Sequence, residues 1–119
     1  MKLDKHDWFF STFEQTIRQA DDIDIEGLDE DECLPIKLTT EHLLKNGFIE
    51  KAGYKAWELN LGALTIYITC DLFTIYGESF SKNIAKTKYK VDINGLSVHE
   101  LQRFLRMYGY INLANHFKI

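Results

Sequence analysis

Apolar residues recur along this chain at two different periods, every three to four positions near its start and in two later runs, and every second position across much of its middle. From Asp4 to Ala20, Phe9, Phe13 and Ile17 fall four residues apart with Trp8, Phe10 and Ala20 beside them, a spacing that predicts an amphipathic helix over residues 1–20. Asp4 suits its N-cap and Asp7 the positive end of its dipole, although Trp8-Phe9-Phe10 would equally open a strand. Two further helices carry signals at both ends. Thr39 caps an expected helix over Thr40–Lys45, with Glu41 in the first turn. Gly47 then ends it in the left-handed conformation, so that Phe48 folds back onto Leu43. Ser97 and Glu100 have the spacing of a capping box, Leu96 and Leu101 that of a hydrophobic staple, and Gly109-Tyr110 forms the stop. Val98, Leu101, Phe104, Leu105 and Tyr108 make one apolar face, with Gln102, Arg103 and Arg106 expected outward and the arginines complementing the negative helix end.

Between these helices the period drops to two. Trp57, Leu59 and Leu61 alternate with polar residues, as do Leu64, Ile66, Ile68 and Cys70, and Gly62 between the runs predicts an antiparallel hairpin. Phe73 and Ile75 read as a third strand ending at Gly77, and Tyr89, Val91 and Ile93 as a fourth ending at Asn94-Gly95. Four strands with no helix between them predict an α+β fold, an antiparallel sheet of about four strands with helices packed on one face. At 119 residues and 45% apolar composition, the expectation is one domain, 1–119, made of an N-terminal aromatic helix (1–20), an acidic loop (21–33) and a helix-sheet-helix unit (34–119).

Charge changes this picture more than composition does. The net charge of −4 divides into −8 over residues 1–50 and +4 over residues 51–119, a complementarity that suits packing of one half on the other, head-to-tail association or a basic partner. Eight of the twelve residues from Asp21 to Glu32 are acidic, which predicts a solvated loop or a short exposed hairpin turning near Glu26-Gly27. Asp22, Asp24, Glu26 and Gly27 imitate the first half of a calcium-binding loop, but Cys33 stands where that loop needs a bidentate glutamate. Cys33 and Cys70 match no metal or redox spacing and favour a reducing setting. The opening residues argue against a secretory signal and a membrane span, so the expected location is cytoplasmic.

Candidate chemistry is sparse. His6, His42, His99 and His116 share no helix at ligand spacing, and none has a visible acid-base partner. Cys70 reads as a small core residue, and Cys33 lacks positive surroundings that would favour thiolate. Lys82, Lys86, Lys88 and Lys90 form a basic cluster that suits a protected strand edge better than nucleic acid, which the acidic total disfavours. No catalytic, cofactor-binding or metal site is therefore expected. The candidate partner-binding residues are Trp8 and Phe9 in the aromatic segment and Asp24, Asp29, Glu30 and Asp31 in the acidic one. They point to a non-enzymatic interaction or accessory module that binds a protein partner or itself. The alternative is an acidic inhibitor or immunity-type mimic that occupies the basic cleft of a nucleic-acid-processing enzyme.

The run from Leu34-Pro35-Ile36-Lys37-Leu38-Thr39-Thr40-Glu41 through His42-Leu43-Leu44-Lys45-Asn46-Gly47-Phe48, followed by Val98-His99-Glu100-Leu101-Gln102, resembles a family of small uncharacterised proteins of gut Bacteroidetes and their phages or prophages. That family pairs a "PIPLTEEWLLKFGF" segment with a later "VHQLQNLYFALTG" segment. The resemblance covers about residues 34–119, implies an intracellular bacterial or mobile-element origin, and brings no catalytic residues with it.

Overall fold

The computed structural model describes residues 1–79, 86–90 and 96–119. In chain order the elements are β1 (Trp8–Ser11), β2 (Thr16–Gln19), α1 (Asp22–Gly27), β3 (Cys33–Leu34), α2 (Thr40–Lys45), β4 (Ile49–Lys51), β5 (Ala56–Asn60), β6 (Leu64–Thr69), β7 (Thr74–Ser79), β8 (Lys86–Lys90), α3 (Val98–Met107) and α4 (Ile111–Asn115). The fold is α+β, with two antiparallel sheets ordered β2-β1-β3 and β4-β5-β6-β7-β8. The chain divides into two compact units, one of Met1–Lys37 with Ser97–Phe117 and one of Leu38–Leu96 with Lys118–Ile119. α3, expected to share a unit with the central strands, therefore belongs with β1–β3. Among the described residues no helix is long and apolar enough to cross a membrane.

The unit of the five-stranded sheet is a meander, each strand pairing with the next in sequence. Alternation puts Trp57, Leu64, Ile66, Ile68 and Ile75 in the core, and the register sets Trp57 against Ile68 and Ile68 against Ile75. On the other face Tyr67 and Tyr76, also register partners, stack with centroids 5.0 Å apart. Gly62 turns the β5–β6 hairpin at φ 87°, as expected. Gly77 does not end its strand but pairs with Ile66 on one side and Thr87 on the other, because ladder bonds on both sides hold a residue of low strand propensity in place. Cys70 is exposed rather than core, since β6 stops one residue earlier at Thr69. The edge strand β4 was not foreseen. β8 forms the opposite edge, its lysines in register with Glu78, Tyr76 and Thr74, while Lys82, Val91, Ile93 and the Asn94-Gly95 stop lie outside the described residues.

α2 runs over the expected residues. The Thr39 hydroxyl accepts from the His42 amide (3.3 Å) and His42 Nδ1 accepts from the Thr39 amide (3.1 Å), so histidine fills the glutamate's place in a capping box. Gly47 at φ 87° lets the Phe48 amide reach the Leu43 carbonyl (3.0 Å), and both side chains are buried. α3 ends in the same way, with Gly109 at φ 86° and the Tyr110 amide on the Leu105 carbonyl (2.9 Å).

Residues 1–20 do not form the expected helix; they make the β1–β2 hairpin. A spacing of four satisfies period 2 as well as period 3.6, and the four-residue connection Thr12–Gln15 splits the stripe. Phe9 turns inward onto Leu3, Ala20 and Cys33, whereas Phe13 at the loop and Ile17 are exposed. The aromatic and β-branched content of the two runs favours the pleated form. The acidic segment is likewise not a plain loop. Asp21 accepts from the Asp24 amide (2.8 Å) and Asp24 from the Asp21 amide (3.2 Å), a reciprocal cap that starts α1 with its acids at the positive dipole end. A 3-10 turn over Glu30–Glu32 then leads into β3. Asp22, Asp24 and Glu26 are wound onto a helix and do not converge as a calcium loop would require.

Candidate functional site

The unit of β1–β3 is assembled by a few polar groups that α3 presents to the N-terminal segment. Asp7 is fully buried, and its carboxylate accepts from Arg106 Nη1 (2.6 Å), Arg103 Nη2 (2.8 Å) and the Asp4 amide (2.9 Å). Asp4, expected to cap a helix, instead adds its carboxylate 3.2 Å from Arg103. Gln102, also fully buried, accepts from the Trp8 amide (2.9 Å) and donates to the carbonyls of His6 (2.8 Å) and Ala114 (2.9 Å). Gln102, Arg103 and Arg106 are thus turned to the protein and not outward, because the buried carboxylate and strand backbone of a distant segment outbid solvent for their donors.

These clips fix the sheet's two faces. Phe9, Ser11 and Cys33 point into the core, and period 2 sends Trp8, Phe10, Ile17, Gln19 and Leu34 to the other face. At one end that face is closed, since Trp8 Nε1 donates to the Phe117 carbonyl (2.8 Å) and Gln19 Nε2 to the Asn115 carbonyl (2.5 Å). At the other end Phe10 is the register partner of both Ile17 and Leu34, which makes an apolar row across three strands with its two outer members about half exposed (48% and 45%). The Phe10, Ile17 and Leu34 row was not singled out from the sequence, where these residues lie in three separate segments.

The six residues expected to bind a partner fall into different settings. Phe9 is core, and Trp8 is half-buried with its indole committed to the backbone. Asp24 is buried and paired with Arg18 (3.1 Å). Asp29, Glu30 and Asp31 are exposed, as are Asp22 and Glu26. Carboxylate oxygens of Asp29, Asp31 and Glu32 lie within 4.8 Å of one another, with Glu32 accepting from the Asp29 amide (3.2 Å). This unit carries 12 acidic against 6 basic side chains, a formal −6, whereas the other carries 6 against 8, or +2. The charge asymmetry read along the chain is therefore an asymmetry between folded units.

Groups with chemical potential are restrained. Burial pushes the Cys33 thiol up, and its sulfur lies 3.6 Å from the Asp29 carbonyl in the wall of a shallow cavity of about 230 Å³ lined also by Leu3, Ile25 and Leu28. Ser97, His99 and Glu100 come together, with Ser97 Oγ 2.9 Å from His99 Nδ1. The Ser97 hydroxyl donates its proton to Glu100, so the imidazole is the donor to Ser97, the reverse of the polarity that activates a serine nucleophile. Burial, aided by the Arg103 charge, holds the His99 pKa below the ordinary imidazole value against the opposing pull of Asp7 and Glu100. No family model, curated protein or solved structure matches the chain.

Proposed function

We propose that this protein is a non-enzymatic interaction module that binds a basic protein through its acidic unit. The observation that carries this reading is the concentration of exposed carboxylates, Asp22, Glu26, Asp29, Glu30 and Asp31, on a unit of charge −6 that also exposes apolar residues of its sheet. Charge of one sign on a small unit steers an oppositely charged partner, and adjoining apolar surface supplies affinity that salt does not screen. The resemblance over residues 34–119 extends the proposal to a cytoplasmic accessory role in bacteria of the gut Bacteroidetes type or their mobile elements. A narrower form, an acidic mimic that inhibits a nucleic-acid-processing enzyme, is favoured by the density of carboxylates from Asp21 to Glu32.

Immobilised full-length protein offered a bacterial lysate tests the reading. One basic protein should be retained at low salt, identified by mass spectrometry, and its dissociation constant should rise with ionic strength. Retention of no basic protein, or binding indifferent to salt, would overturn the proposal. Loss of nuclease or polymerase activity in the captured protein selects the mimic form.

A further inference from the structure

Resting on that reading, we propose that the Phe10, Ile17 and Leu34 row and the outer edge of β2 together receive an extended, lysine- or arginine-bearing apolar segment of the basic partner as an added strand. Three observations converge on this surface. The row crosses the sheet and ends at β2, and among the described residues no strand pairs with β2 on its outer side. Sheet edges are ordinarily protected by lysine, proline or a bulge, yet Thr16–Gln19 contains neither lysine nor proline. Its one charge, Arg18, is on the opposite face from Ile17 and is tied to Glu14 (2.7 Å) and Asp24 (3.1 Å), so it does not guard the edge. β3, at the other edge, is only two residues long and offers little backbone to pair.

Charge selects the occupant. A second copy of this chain would bring one −6 unit against another, and like charges across an added strand oppose pairing. A cationic strand on β2 meets a unit of formal charge −6, with the exposed carboxylates of Glu14 just before β2 and of Asp21 and Asp22 just after it, and places its alternate apolar side chains beside Ile17, lengthening the row. The apolar contacts give register, and the backbone ladder gives affinity without demanding one sequence.

The test uses the full chain and a fluorescent, end-blocked peptide that alternates lysine with valine. Two controls alternate glutamate with valine and lysine with serine. The lysine-valine peptide should bind in anisotropy titrations, with backbone amide shifts centred on Thr16–Gln19 and Phe10, and both controls should bind at least about tenfold more weakly. Ile17→Ser should weaken binding by about tenfold, Ile17→Val should restore it, and Phe73→Ser, an exposed change in the other unit, should leave it intact. Equal binding of the lysine-serine peptide, unchanged binding by Ile17→Ser, or self-association through β2 would each overturn the assignment. If a basic protein is captured equally well by Ile17→Ser, this surface is wrong and the interaction reading stands. If the peptide binds at β2 but no basic protein is ever captured, the reverse holds.

Discussion

Both units contain an antiparallel sheet and a helix stopped by glycine, but they are tied together in opposite ways. In the five-stranded unit every pairing joins neighbours in sequence, and the described side chains of β5–β7 alternate between an apolar core face and a more polar face. In the three-stranded unit the hairpin and β3 come from the first 34 residues, whereas the groups that secure the segment entering β1, Gln102, Arg103, Arg106 and the Phe117 carbonyl, come from more than 90 residues after the residues they bond. Local apolar pairing builds a sheet whose parts specify one another. A sheet of four-residue and two-residue strands cannot do so, and here buried polar bonds across the sequence take over.

The comparison would break first at Asp7. Asp7→Ala leaves two arginines without their shared carboxylate and should cost about 3–5 kcal/mol in urea unfolding. Amide exchange should accelerate throughout β1–β3 before the meander is affected, and uniform acceleration of both units would show that the difference between them is not energetic. Gln102→Ala orphans the Trp8 amide and removes one of two donors from each of the His6 and Ala114 carbonyls, and should cost about 2 kcal/mol by the same measurement. A loss under about 1 kcal/mol would mean that water replaces these bonds.

The two glycine stops should be nearly equivalent, because a Cβ at Gly47 would make only an ordinary 3.6 Å contact with Leu59 and one at Gly109 would meet nothing within 4 Å. Gly47→Ala and Gly109→Ala each force a side chain into positive φ and should lose about 1 kcal/mol, and a marked inequality would expose a tertiary demand at one of them. Acid sharpens the contrast through His99 and His42, one in each unit. Burial lowers both pKa values, with Arg103 adding to the effect at His99 and Lys45 at His42. The unfolded chain then binds protons that the folded chain refuses. Stability should be fully present above the ordinary imidazole value of 6.5 and be lost as pH falls from there toward the depressed folded values. Histidine proton titrations by NMR should show both midpoints below 6.5, and His99→Gln should remove only its own share of the acid loss. Smallest of all, Ile17→Ser should change stability by less than about 0.5 kcal/mol, in keeping with an exposed residue available for binding.

What could be read in advance tracks the range of the interactions. α2 and α3, their caps and stops, the β5–β6 hairpin and the burial of Leu101, Phe104 and Leu105 depend on residues a few positions apart. The first twenty residues misled because Phe9, Phe13 and Ile17 fit both periods, and the choice rests on β3 and α3. Glu14 and Arg18, four apart as in a helix, pair across a hairpin turn instead. Of the surface residues, the exposed acids were visible as a composition. The apolar row was not, because cross-strand register alone makes Phe10 a neighbour of Leu34.

The sequence by itself determined the boundaries of α2 and α3, the alternation of β5 and β6, the α+β class and the uneven charge, all products of local stereochemistry and side-chain period. Only the tertiary structure decided that the aromatic segment pleats, that Asp7 and Gln102 are buried, and that Phe10, Ile17 and Leu34 share a face. Each of those outcomes needed a partner from a distant part of the chain, whose identity no local pattern encodes and whose hydrogen bonds and charges outweigh the intrinsic preferences of the residues they hold.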